Sequence, residues 1–221
     1  MVMITFPQRL LDGYRTFATQ RLPTEQNRYR ELSERGQSPE VMVIGCCDSR
    51  VSPEVIFDAR PGELFVMRNI ANLVPIYQPD GGAHGVSAAL EYAVQVLRVK
   101  HIVVLGHAQC GGIRAFIDKI APLSPGDFIG KWMSMFIKPG EIVGQREHEN
   151  MQDFATRIEK AAVFRSLENL MTFPCVDILV GRGKLMLHGA YFGVAEGSLF
   201  VLDKATKEFR SASELRMANS Q

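Results

Sequence analysis

The sequence predicts an α/β fold with a parallel-sheet core, an added antiparallel edge strand, flanking helices and an N-terminal helical arm. Three observations predict it. Short apolar, β-branched runs alternate with helix-period segments between residues 41 and 120, the pattern of βαβ units. A charged stretch with helical character precedes them and stops at Gly36. Two strand-like runs near the C-terminus are separated only by Ala195, Glu196 and Gly197, which reads as a hairpin on the sheet edge. At 221 residues, 46% hydrophobic and 22% charged, the chain suits a single domain that buries its own core. Its expected parts are the arm (1–36), a core (37–203) and a C-terminal tail (204–221).

In chain order, residues 5–36 read as the helical arm. Residues 41–45 form a buried strand that ends at Cys46 and Cys47, and residues 63–68 form a second. Ala, Leu, Val and Tyr then recur at helical spacing through GGAHGVSAALEYAVQVLRVK. HIVVLGH is a third strand, and CGGIRAFIDKI opens a helix behind two glycines. Residues 121–150, rich in Pro and Gly, read as a long irregular connection, and a helix follows over 151–171. LMLHGAYFGV and SLFVLD are the hairpin strands.

Bulk properties exclude several function classes. A net charge of +1 offers no electrostatic case for nucleic acid or an anionic membrane as partner. The opening MVMITFPQRLLDGYRTF lacks the charged-then-apolar layout of a signal peptide, and no run of about 18 apolar residues exists, so the expected location is cytoplasmic. Four cysteines are too few for a disulfide-built scaffold of this size, which leaves metal binding or burial.

The chemistry concentrates where strands end. Cys46 closes the first predicted strand; His107 and Cys110 follow the third. In open parallel sheets, ligands bind at that carboxyl edge. Two thiolates and one imidazole leave zinc a fourth, open position, the pattern of a catalytic site. A structural zinc would close with a fourth protein ligand, and no Cys-x-x-Cys or second Cys/His pair supplies one. Taken alone, a His-x-x-Cys pair or a cysteine at a strand end more often marks simple packing. Asp48 and Arg50 add weight. In extended backbone they share the face of Cys46, while Cys47 and Ser49 point away. An ionised Asp only accepts hydrogen bonds, so it dictates how a neighbouring hydroxyl points; the Arg fork can hold it in place.

The remaining candidates read as structural. Cys47 is expected in the core, Cys175 as a buried helix-start residue, His148 as solvated, His84 and His101 as cap or surface residues, and His188 as a structural strand residue. The methionines read as core filler.

Cys46-Cys47-Asp48-Ser49-Arg50 resembles the Cys-x-Asp-x-Arg signature of β-class carbonic anhydrases, and Gly106-His107-Ala108-Gln109-Cys110-Gly111-Gly112 resembles their second motif. Arg68 to Pro75, Ala89 to Val94, Asp127-Phe128-Ile129 with Trp132, Ser166 to Leu170 and Leu187-His188-Gly189 extend the similarity across about residues 37–203. The resemblance is to the plant-like, type I branch. It implies a carbonate dehydratase: one Zn2+ per chain on Cys46, His107 and Cys110, hydrating carbon dioxide reversibly to bicarbonate and a proton. Asp48 and Arg50 would be catalytic, and Gln37, Phe65, Ile70, Tyr92 and the Gly111 amide would bind substrate. It also implies a homodimer or a multiple of dimers. The alternatives are carbonyl sulfide or carbon disulfide hydrolysis on the same fold, or a non-enzymatic zinc or thiol protein.

Two departures from the family matter. Val96 stands where plant-like members carry a histidine that passes protons outward. Val43 stands where another branch carries the Trp of a regulatory bicarbonate pocket, although Arg68 matches that pocket's Arg. The expected resting state therefore keeps the Asp48–Arg50 pair.

Overall fold

The computed structural model of the chain describes residues 5–119, 121–136 and 144–215. The chain divides after Ser38 into two compact units, two residues beyond the arm boundary expected from the sequence. In the N-terminal unit, helix α1 (Gln8–Thr16) runs through a π-helical turn (Phe17–Arg21) into α2 (Leu22–Arg35). Gly36 ends it with φ 79, a backbone that glycine adopts without steric cost. Neither helix buries a residue, and Leu10 and Tyr14 stand exposed.

The second unit is built on a six-stranded sheet. Its strands are β1 (Val41–Cys46), β2 (Leu64–Asn69), β3 (His101–His107), β4 (Met186–Gly193), β5 (Ser198–Asp203) and β6 (Glu208–Ser211), in spatial order β2-β1-β3-β4-β5-β6. The first four pair in parallel, and β5 and β6 add antiparallel. The helices are α3 (Pro53–Ile56), α4 (Gly85–Glu91), α5 (Gly111–Ile117), α6 (Phe128–Ser134), α7 (Met151–Leu170) and α8 (Pro174–Gly181), with a π-helical turn over Tyr92–Leu97 after α4.

The strands hold because their β-branched side chains are buried on both faces, as a parallel sheet requires. One face sets Met42, Ile44, Ile102, Val104 and Leu187 against Val86 and Leu90 of α4, Val163 and Leu170 of α7, and Val176 of α8. The other buries Val43, Leu105 and Ala190. α7 begins where the Asn150 side chain accepts the Asp153 N–H at 2.8 Å, a standard N-cap. It lies directly on β3: a Cβ at Gly106 would sit 2.6 Å from Val163 Cγ2. Any side chain there would push the helix off the strand that delivers His107.

Several expectations change. Residues 121–150 are not wholly irregular, since α6 forms within them; residues 137–143 of that stretch lie outside the described residues. Part of the expected tail is strand β6, which pairs antiparallel with β5 and extends the sheet by one strand beyond the expected hairpin. Cys47 is exposed rather than in the core, because β1 ends at Cys46 and the chain leaves the pleat that would have turned Cys47 inward. Cys175 starts α8 as expected but is only half-buried. Met42 and Met133 are core residues, whereas Met151, Met171 and Met186 are exposed.

His148 is solvated as expected, and His84 is an exposed residue before α4 that pairs with Asp80. His101 is not a surface residue. It is half-buried, and its Nδ1 lies 3.1 Å from His188 Nε2 across the amino ends of β3 and β4. Burial, with the Lys204 and His101 charges, lowers the proton affinity of His188. Its folded pKa therefore lies below its unfolded value of about 6.5, and the unfolded chain takes up the proton first. This contribution to stability is complete above that value and is lost as pH falls below it. The unfolding free energy of the wild type, from urea titrations, should drop more between pH 7.5 and 5.5 than that of His188→Gln, by at most about 1.4 kcal/mol per pH unit. Parallel pH profiles for the two proteins would contradict the assignment.

Candidate metal centre and active site

Cys46, His107 and Cys110 meet at the carboxyl edge of β1 and β3, with their ligand atoms all within 4.8 Å of one another. All three residues are buried. The two sulfurs are 4.0 Å apart. Two thiolates on one tetrahedral zinc, with Zn–S bonds of about 2.3 Å, lie about 3.8 Å apart. His107 Nδ1 lies 2.9 Å from the Ala108 carbonyl, to which its N–H donates. That fixes the tautomer and leaves the Nε2 lone pair facing the cluster, where Nε2 is buried with no hydrogen-bond partner among the described residues. An orphaned imidazole lone pair beside two sulfurs is what a metal ligand looks like without its metal.

The charges agree. The contact between the two sulfurs holds Cys46 below the usual thiol range, while Cys110, facing it and buried, is pushed well above. Two thiolates can share this buried space only with a cation between them. The donor set, two soft sulfurs and an imidazole, suits zinc.

Asp48 and Arg50 lie in the turn beyond β1. Arg50 Nε donates to Asp48 Oδ1 at 2.9 Å and Nη2 to Oδ2 at 2.7 Å, the two-pronged fork of a guanidinium on a carboxylate. The Arg50 backbone N–H adds a third donor at 3.0 Å. Arg50 therefore reaches Asp48 by the carboxylate capping its own turn rather than by strand alternation. The same guanidinium donates to the Gln109 carbonyl at 3.0 Å, tying this turn to the His107–Cys110 loop. These bonds, Arg50's first, hold the Asp48 carboxyl well below the usual carboxylate range. Arg68 donates to the Cys46 and Asp48 carbonyls at 2.7 Å each, so the backbone of the first motif is pinned from β2.

Phe65 and Tyr92 lie together, their ring centroids 5.9 Å apart. Ile70 and Tyr92 are 41% and 45% exposed, on an open surface of this chain. Gly111 opens α5, and no heavy atom lies within 4 Å of where its Cβ would be. Gln37 belongs to the N-terminal unit and is exposed. An apolar cavity of about 550 Å³ between α5 and α6, lined by Phe116, Leu123, Phe128 and Met133, contains none of these residues.

The sequence reading missed one residue at this site. Glu159 on α7 is 3% exposed; its Oε1 accepts the Cys110 backbone N–H at 3.0 Å and its Oε2 accepts the Tyr191 hydroxyl at 2.6 Å. Burial raises its pKa. The available signal was an acidic residue on the buried stripe of α7, between Ile158 and Ala162.

The carbonic anhydrase family model matches residues 41–199, which include both motifs. The chain belongs to the β-class carbonic anhydrases. It is 37% identical to a carbonic anhydrase of Pseudomonas aeruginosa over 93% of this chain and 91% of the relative. The structure of the β-carbonic anhydrase CcaA superposes with a TM-score of 0.83 at 27% identity, covering 92% of this chain and 91% of that one. A tetrameric β-carbonic anhydrase from Sordaria macrospora superposes with a TM-score of 0.72 at 26% identity, covering 88% and 95%. Membership makes the chain a carbonic anhydrase rather than a non-enzymatic zinc or thiol protein. Among the described residues, no helix of this carbonic anhydrase is long and apolar enough to cross a membrane.

Proposed function

We propose that this β-class carbonic anhydrase, of the plant-like branch, hydrates carbon dioxide reversibly to bicarbonate and a proton, with one zinc per chain held by Cys46, His107 and Cys110. The observation that carries the reading is the convergence of the three buried ligand atoms within 4.8 Å. Zinc bound there would supply hydroxide from water near neutral pH. Asp48, locked by Arg50, can only accept a hydrogen bond, so it would orient a hydroxyl held beside it. Phe65, Ile70 and Tyr92 give a small apolar molecule a shaped wall, and the Gly111 amide donates to its oxygen. Val96 offers no imidazole to carry the proton away, so exchange falls to water and buffer. The protein works as a homodimer or a multiple of dimers: the exposed Leu10 and Tyr14 of the arm and the open Ile70–Tyr92 surface support assembly.

The test is stopped-flow hydration by the zinc-loaded chain, set beside hydrolysis of carbonyl sulfide and carbon disulfide. Hydration should dominate; one zinc per chain with no hydration would end the proposal. The pH profile tests the resting state. Val43 is 1% exposed within the sheet and offers no aromatic platform for bicarbonate. A ligand shifts an equilibrium only by its differential affinity for the two states. Activity from about pH 6.5 to 9 should therefore rise as a single proton loss, unmoved by added bicarbonate once the reverse reaction is subtracted. A steep profile that bicarbonate shifts upward would count against the Asp48–Arg50 resting pair.

A further inference from the structure

Ile70 stands on a turn that its own sequence would not hold. Ala71 and Asn72 take left-handed backbone at φ 62 and φ 49, and neither is a glycine. Such backbone is strained and persists only where the surroundings over-determine it. Asn72 adds a further cost, since it is 3% exposed and its Nδ2 has no partner.

The surroundings are explicit. The Asn69 side chain brackets Leu73, accepting its N–H at 2.9 Å and donating to its carbonyl at 2.8 Å. From α7, Ser166 donates to the Asn72 carbonyl at 2.9 Å and Asn169 to the Val74 carbonyl at 2.7 Å. Those bonds hold residues 72–74. Ile70 itself is held by two others. Trp132 Nε1, on α6, donates to the Ile70 carbonyl at 2.8 Å. On α5, a Cβ at Gly112 would lie 2.6 Å from Ile70 Cγ2 and 3.2 Å from Ala71 Cβ, so the Ile70 side chain rests on helix backbone two residues past Cys110.

We infer that Trp132 and Gly112 are positioning residues that fix the Ile70 side chain in the substrate cleft, Trp132 by hydrogen bond and Gly112 by giving room. The inference rests on Ile70 being part of that cleft. Carbon dioxide is small and has no net dipole, so the cleft must place it largely by shape. A displacement of about 1 Å at a reacting centre can cost 10²-fold in rate. The segment 121–136 thereby acquires a role in catalysis without supplying a group that touches the substrate.

The experiment is a set of double-mutant cycles on the zinc-loaded full chain. Trp132→Phe keeps the ring and removes the N–H; Gly112→Ala displaces Ile70 and leaves Trp132 intact. Each is made alone and with Ile70→Ala, reading KM, kcat, zinc content and thermal midpoint. Each single variant should lower kcat/KM for carbon dioxide about tenfold, chiefly through KM, with zinc retained. In the Ile70→Ala background the same change should cost less than about twofold, because no side chain remains to be placed. Equal losses in both backgrounds, or losses that follow zinc release, would make the two residues ordinary structural ones and overturn the inference. If Trp132→Phe does not fold, the Gly112 cycle decides alone. Wild-type kcat/KM in Ile70→Ala itself would instead refute the cleft assignment, and the inference with it.

Discussion

Replacing Cys110 with Ala should strip the enzyme of its metal and bring hydration close to the uncatalysed background. On the proposed function the residue would supply one of three ligands, and the Cys46 and His107 atoms left behind should not by themselves retain the ion against dilute chelator. Loss of an outer partner of a metal ligand typically costs 10–100-fold in affinity, so loss of a ligand should cost at least about 100-fold. The fold should survive, because both faces of the sheet keep their apolar cores. Metal content by mass spectrometry and stopped-flow hydration, on protein purified without added zinc, make the measurement. Cys46→Ala and His107→Ala should behave alike. Full zinc occupancy in Cys110→Ala would remove that residue from the ligand set, even if activity fell.

The second large effect belongs to Asp48→Asn. Asparagine keeps the shape but carries an amide that can donate as well as accept. On the proposed function it would no longer oblige the neighbouring hydroxyl to point its hydrogen at residue 48, and Arg50 would lose one prong of its fork. Zinc should stay bound, since none of its ligands changes, while kcat/KM falls on the order of 10²-fold or more, the usual loss for a misoriented nucleophile. Stability should change little, because Arg50 is 44% exposed and such pairs are screened by water. Near-normal turnover in the Asn variant would show that Asp48 does not orient the nucleophile.

Most of the framework that positions this chemistry was legible in the residues. The apolar runs at 41–46 and 101–107 admit only a buried strand, and the two motifs fall at their ends. What was not legible depends on where strands stop and what packs over them. Extended-chain alternation placed Cys47 inward, but β1 ends one residue earlier and the turn capped by Asp48 takes over. Helix α6 lies within a stretch rich in Pro and Gly, and its role shows only when Trp132 meets Ile70, 62 residues away in sequence. Glu159 looks like any helix carboxylate until α7 is seen to turn it toward Cys110 and Tyr191. Left-handed Ala71 carries no local signal, because tertiary contacts impose it.

The position of β1 and β3 as immediate neighbours has a consequence for how the molecule assembles. Cys46 and Cys110 are 64 residues apart, and the chain between them carries β2, which pairs with the other edge of β1, and α4. Closing a loop of that size is a slow, non-local step, since its entropy is lost before the contacts that reward it exist. An ion captured afterwards, as the proposed function has it, would act as a clasp across the finished crossover. It should slow the opening of β1 from β3 far more than it speeds their first meeting.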